Sequence, residues 1–168
     1  MNALRHPALF ATALFALTAC APKTPDTAAD AATIKADAPV WFTHYNAGDA
    51  DGVAALYAED GVVLAPGAPA VVGRAAIRDF IASDIANSKA AGLALNGNEV
   101  TDVGVAGDMA WMTGSFSVTD ASGATVDKGK YVTILRRVDG KWPIIRDTWN
   151  SDTPPAAASG QSAGPPPS

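Results

Sequence analysis

The chain has 168 residues, 48% of them hydrophobic, with 17 acidic against 12 basic side chains and a formal net charge of −5. That length and apolar content suit one domain with a modest core. The acidic balance excludes a nucleic-acid platform, and the single cysteine excludes an internal disulfide or a thiolate metal cluster.

Read from the N-terminus, Arg5 and His6 precede an apolar stretch from Ala8 to Leu17, which stops at Leu17, Thr18, Ala19 and Cys20. Charge, a short hydrophobic run and small residues in that order make an export signal, so residues 1–19 are expected to be a cleaved signal peptide. The run is well short of the roughly 20 residues needed to span a bilayer. Its last four residues resemble the lipobox of bacterial lipoproteins. The resemblance implies that Cys20 is acylated, becomes the mature N-terminus and anchors the chain to the membrane through lipid. It also implies an exported protein of the bacterial cell envelope, with the outer membrane favoured over the inner, because Ala21 is not the Asp that marks inner-membrane retention in some bacteria. An ordinary secretory signal with an incidental cysteine is the alternative. Residues 20–33, rich in Ala, Thr, Pro and Asp, read as the lipidated Cys and a flexible tether; residues 153–168, almost entirely Pro, Ala, Gly and Ser, read as a disordered tail. Residues 34–152 are left as the folded domain.

Within it, Ile34, Ala38, Trp41 and Tyr45 share one stripe of a helix ending near Gly48. Pro39 either kinks that helix or marks its first turn after an Asp37 cap. Asp49 caps a short second helix carrying Val53, Leu56 and Tyr57, before an Asp60-Gly61 turn opens a strand from Val62 to Leu64. A third helix runs from Arg74 to about Asn87, with Ile77, Ile81 and Ile85 at helical spacing. Four strand-like stretches follow: Val100 to Val105, Met109 to Val118, Val126 to Val138 and Lys141 to Asn150. Short turns separate them, which predicts antiparallel hairpins.

A two-residue Asp139-Gly140 turn pairs Val138 with Lys141. If that register continues, Lys130, Val132, Ile134, Ile145, Asp147 and Trp149 share one face, and Tyr131, Thr133, Leu135, Trp142, Ile144 and Arg146 the other. Both faces carry large apolar groups. The expectation is helices over one face and a second copy of the chain over the other, a homodimer through the outer sheet face.

The order of elements, with Asn46, Ala47, Gly48 and Asp49, then Leu56 to Asp60, then Gly73 to Arg78, resembles the nuclear transport factor two-like superfamily, nearest its ketosteroid isomerase and SnoaL-like polyketide cyclase branches. The similarity covers about residues 34–152. It implies an α+β fold: a cone-shaped, curved antiparallel sheet packed against about three N-terminal helices. Its motifs specify the fold better than the function, since this fold hosts isomerases, dehydratases, cyclases, hydrolases and binding proteins without catalysis. Ketosteroid isomerases use a carboxylate base with an oxyanion hole of a Tyr and a protonated Asp. Carried over position by position, the tyrosine falls on Trp41, the base on Ala65 and the protonated Asp near Val132, so that chemistry is not expected here.

The resemblance places Trp41, Met109, Trp111, Val132, Ile134, Ile145, Asp147 and Trp149 around the cavity. Such a wall suits a small apolar or aromatic molecule. Asp147 is the candidate catalytic residue, because a carboxylate inside an apolar cone has a raised pKa and can act as acid or base. Lys130, diagonally across the expected hairpin face, offers the other reading, an ordinary ion pair. His44 has no partner at ligand spacing, the acids around the second helix read as caps and solvated charge, and Arg136 and Arg137 beside the hairpin turn read as solvated or interfacial. No metal site and no cofactor are expected. Two functions stay open: a lipid-tethered module that binds a small molecule, and a SnoaL-like enzyme using Asp147.

Overall fold

In the computed structural model, which describes residues 26–154, the first helix, α1, spans Thr27–Ala47. It starts inside the segment expected to be a tether. Asp26 accepts a hydrogen bond from the Ala29 N–H at 3.1 Å, and the alanines that made the segment look like a linker are the strongest helix formers. Arg137 then grips Asp30 with its two terminal guanidinium nitrogens, at 2.8 and 2.6 Å, and lies 4.2 Å over the Trp142 ring. Arg137 is therefore a clamp and not a solvated turn residue, and the folded unit begins about seven residues before residue 34. Pro39 lies in the helix interior, not in a first turn. Residues 1–25 and 155–168 lie outside the described residues, and with them the expected signal peptide, Cys20 and nearly all of the expected tail. No helix among the described residues is long and apolar enough to cross a membrane.

α1 ends at Gly48, whose positive φ of 81° lets the chain turn into α2, Ala50–Ala55. Asp49 caps α2 through the Gly52 N–H at 2.8 Å, and it also holds His44 at 2.8 Å, a partner the sequence did not reveal. Tyr57, expected on this helix, instead opens strand β1, Tyr57–Leu64. A two-residue strand β2, Val71–Val72, precedes α3, Arg74–Ala90. The remaining strands are β3, Ala94–Ala106; β4, Met109–Thr119; β5, Thr125–Arg136; and β6, Ile144–Ser151.

The six strands lie in the order β2-β1-β6-β5-β4-β3. The fold is the expected α+β arrangement of three helices on a curved sheet. The sheet is mixed, because β1 and β6 run parallel while every other neighbouring pair is antiparallel. Register breaks in β3 around Val100 add local twist and bend the sheet. The helices cover its concave side. Val53, Tyr57, Val63, Ile77 and Ile81 are the most deeply buried of the large side chains there, and Ile34, Ala38 and Tyr45 bring the α1 stripe onto them.

The hairpin between β5 and β6 holds the main surprise. Asp139 and Gly140 both have positive φ, 50° and 75°, and Val138 pairs with Lys141 as expected of such a turn. Leu135 pairs with Ile144 in the same register, yet the next pair is Ile134 with Arg146, so Ile145 is an extra residue on β6. This β-bulge reverses the alternation beyond it. Thr133 pairs with Asp147 and Tyr131 with Trp149. Asp147 and Trp149 therefore share a face with Tyr131 and Thr133, and not with Lys130, Val132 and Ile134.

Candidate functional site

The cone formed by α1, α3 and the concave sheet encloses a cavity of about 570 Å³, within the range of roughly 300–1,000 Å³ typical of small-molecule sites. α1 contributes Ala38, Trp41, Phe42 and Tyr45 to its wall; α3 contributes Phe80, Ile81, Asp84 and Ser88. From the sheet come Met112 and Phe116 on β4, Tyr131 and Thr133 on β5, and Ile144, Asp147 and Trp149 on β6. The loop after β1 adds Ala65 and Pro66. These β4 and β5 residues alternate with outward-facing neighbours, as the pleat requires. Tyr131 is seated against Gly114, where a Cβ would stand 2.3 Å from its hydroxyl oxygen.

At the floor, a chain of hydrogen bonds joins four elements. Thr133 Oγ1 donates to Asp147 Oδ1 at 3.0 Å, Tyr57 Oη donates to Asp147 Oδ2 at 2.7 Å, and Trp41 Nε1 donates to Tyr57 Oη at 3.1 Å. Burial pushes the Asp147 carboxyl above its usual value, opposed by bonds from Tyr57, Thr133 and the Thr148 N–H. The Tyr57 hydroxyl is pushed well up, first by burial and then by the adjacent negative charge of Asp147. Nearer α3 a second polar group stands on the wall: Tyr45 Oη donates to Asp84 Oδ2 at 2.6 Å and lies 2.8 Å from Ser88 Oγ. Burial first, then Asp84, raises the Tyr45 hydroxyl. Trp41 stacks on Tyr45 with centroids 5.2 Å apart.

The eight residues expected around the cavity divide between the two sides of the sheet. Trp41, Asp147 and Trp149 line it. Met109, Trp111 and Val132 lie on the opposite face, each about 40% exposed, and Ile134, partner of Trp111, shares that face. Trp111 lies against Gly104 there and donates its Nε1–H to Asp102 at 2.8 Å. Ile145 is buried at the bulge and is not on the cavity wall. The split follows from the bulge: beyond Ile145 it aligns Asp147 and Trp149 with Tyr131 and Thr133, while Met109, Trp111, Val132 and Ile134 stay together on the other face. The expected ion pair between Lys130 and Asp147 fails for this reason too, and Lys130 instead meets Asp152 at 2.5 Å.

Tyr57, Tyr131, Thr133 and the Tyr45–Asp84 pair are the residues that sequence reasoning missed. Tyr131 and Thr133 sit on the second apolar face of β5, which already alternated correctly, so that face carried the signal. Of the three ketosteroid isomerase positions, Ala65 lines the cavity with no group able to take a proton, Trp41 spends its N–H on Tyr57, and Val132 faces away. Among the described residues no group of three His, Cys, Asp or Glu is placed to hold a metal.

A model of the SnoaL-like domain matches residues 40–143. Among solved structures, the chain is similar to a nuclear transport factor two-like protein with a cystatin-like fold from Novosphingobium aromaticivorans, at 24% identity and a TM-score of 0.65, covering 73% of this chain and 82% of that one. It is similar also to a protein of unknown function with a cystatin-like fold from Nostoc punctiforme, at 19% identity, TM-score 0.65, 75% of this chain and 93% of that one. A ketosteroid isomerase-like protein from Erwinia carotovora atroseptica matches at 25% identity and a TM-score of 0.56, over 74% of this chain and 98% of that one. No curated protein matches the chain.

The buried carboxyl predicts a pH dependence of stability. The folded protein keeps the Asp147 proton to a higher pH than the unfolded chain, whose reference value is 3.8. Between the two values the folded state binds more protons, so this group lowers stability as pH rises, by at most about 1.4 kcal/mol per pH unit. Urea titrations at a series of pH values should show that loss in the parent protein and not in Asp147→Asn; parallel curves for the two would show that the carboxyl is not perturbed.

Proposed function

The chain belongs to the SnoaL-like domain family, and from that premise we propose that it binds a small apolar or aromatic molecule in its cone-shaped pocket, without ketosteroid isomerase chemistry. The observation that carries this reading is the 570 Å³ cavity walled by aromatic rings and floored by a carboxyl that takes a hydroxyl donor at each oxygen. Apolar walls supply affinity by removing surface from water, at roughly 25 cal/mol per Å², and the few polar groups orient the ligand.

A second reading, a SnoaL-like isomerase, cyclase or hydrolase, rests on one specific observation. Asp147 faces the cavity with no cation beside it among the described residues, and its raised pKa suits a group that gives and takes protons. NMR titration of its carboxyl carbon separates the two: a value near neutrality supports catalysis, and a value in the ordinary carboxylate range supports binding alone.

On the opposite face Leu64, Met109, Trp111 and Val132 are 40–44% exposed, and the cross-strand pairs Thr113–Val132, Val132–Thr148 and Leu64–Thr148 join the patch across the sheet. Exposed apolar side chains grouped on one sheet face in this way favour a second copy of the chain. The lipobox-like residues around Cys20 favour a lipid-anchored envelope protein, in the outer membrane before the inner.

Native mass spectrometry of the full chain purified from a bacterial envelope extract tests the pocket: a retained small molecule should be lost in Trp149→Ala and kept in Trp111→Ala, and an empty protein throughout would overturn the reading. In sedimentation at micromolar concentration the chain should run as a dimer, with Val132→Asp shifting it to monomer; a monomeric parent would remove the dimer. Cys20→Ser should move the protein from the membrane fraction to the soluble fraction, and membrane retention of that variant would argue against the lipid anchor.

A further inference from the structure

We propose that the pocket selects an organic cation, a small molecule with an apolar or aromatic body and an amine, quaternary ammonium or other positively charged head. The inference rests on the pocket reading above and names its ligand class. It starts from what the cavity wall contains and what it lacks. Among the described residues that line it, seven side chains are aromatic and three are aspartates, and none is Lys, Arg or His. Walls with acids and no bases repel anions and give a neutral ligand nothing that a cation would not also receive.

Each kind of wall residue favours positive charge for its own reason. Aromatic faces carry the negative side of a quadrupole, and a cation within about 6 Å of a ring centroid is attracted to it, more strongly when water is excluded. Trp149 and Tyr131, directly paired across β6 and β5, stand one pleat above the Asp147–Thr133 pair, so ring surface and carboxyl follow one another along the wall. Asp147 receives two hydroxyl donors and no charged one. A buried carboxylate so placed needs a proton or an outside counter-ion, and a cationic ligand is such a counter-ion.

Asp84 supplies the second acid. One of its oxygens takes the Tyr45 hydroxyl, and the other has no hydrogen-bond partner among the described residues. Of the bases on nearby elements, Arg78 pairs with Asp51 and Asp79, Lys130 with Asp152 and Arg136 with Asp60, and among the described residues no ion pair joins a base to Asp84 or Asp147. The protein thus neutralises acids on its surface and leaves those on the cavity wall unmatched.

Equilibrium dialysis of the purified full chain against three probes of similar size tests the inference: phenyltrimethylammonium, its neutral isostere tert-butylbenzene, and the anion benzenesulfonate. The cation should bind at least tenfold more tightly than tert-butylbenzene, with benzenesulfonate weakest. Asp84→Asn and Asp147→Asn should each lower the preference for the cation several-fold while tert-butylbenzene binding, which reports an intact cavity, stays within twofold. Equal or better binding of the neutral or anionic probe would overturn the cation inference and leave the pocket standing. An unchanged preference in both variants would overturn it as well, because the acids would not be the recognising groups. Failure of all three probes would remove the pocket reading together with this one.

Discussion

Burying a carboxyl group costs several kcal/mol unless its oxygens are supplied with donors, and meeting that demand at Asp147 organises the interior. Its two hydroxyl partners come from the first residue of β1 and from β5, and the tyrosine is in turn reached by the indole of α1. Four segments far apart in sequence are therefore held at one point by directional bonds, where apolar packing alone would tolerate sliding. Tyr57 is the pivot, because it has essentially no exposed surface and both donates and accepts. The parallel pairing of β1 with β6 sets Tyr57 opposite Ile144, and from there its hydroxyl reaches Asp147.

The two faces of the sheet use aromatic residues differently. Inside, Trp41, Tyr45 and Phe42 pack ring against ring, and with Tyr131 and Trp149 they form concave walls. Outside, Trp111 is exposed yet fixed, seated on Gly104 and tied to Asp102. A side chain already held in place loses little rotamer freedom when something covers it.

Periodicity made the helices and hairpins legible. The stripe of Ile34, Ala38, Trp41 and Tyr45, the Asp49 cap, the third helix from Arg74 and the Asp139-Gly140 turn all stand in the structure. Asp147, Trp41 and Trp149 were legible as cavity residues only through the family resemblance, because the hairpin register alone gave no reason to put them inside. What escaped had no local signature. The alanines before Ile34 suit a linker and a helix equally until Arg137, distant in sequence, binds Asp30. Tyr57 continues the helical spacing of Val53 and Leu56, and only long-range pairing with β6 makes it a strand residue. The bulge hides in two adjacent isoleucines, either of which fits the inward pattern.

That bulge makes the site depend on the parity of one strand. Substitutions at Ile145 change its packing by a few atoms, whereas running the register of the turn on without the bulge would set Arg146 opposite Thr133 and Asp147 opposite Val132. Arg146 and Thr148 would then face the cavity, and Asp147 and Trp149 the outside, with every backbone pairing still available. Losing Ile145 outright would instead close the bulge and leave Asp147 opposite Thr133, so the acidic floor survives a deletion here and is exchanged for a basic one when the bulge is lost at constant length. Here the placement of one unpaired residue, more than the identity of its neighbours, determines the chemistry the cone can hold.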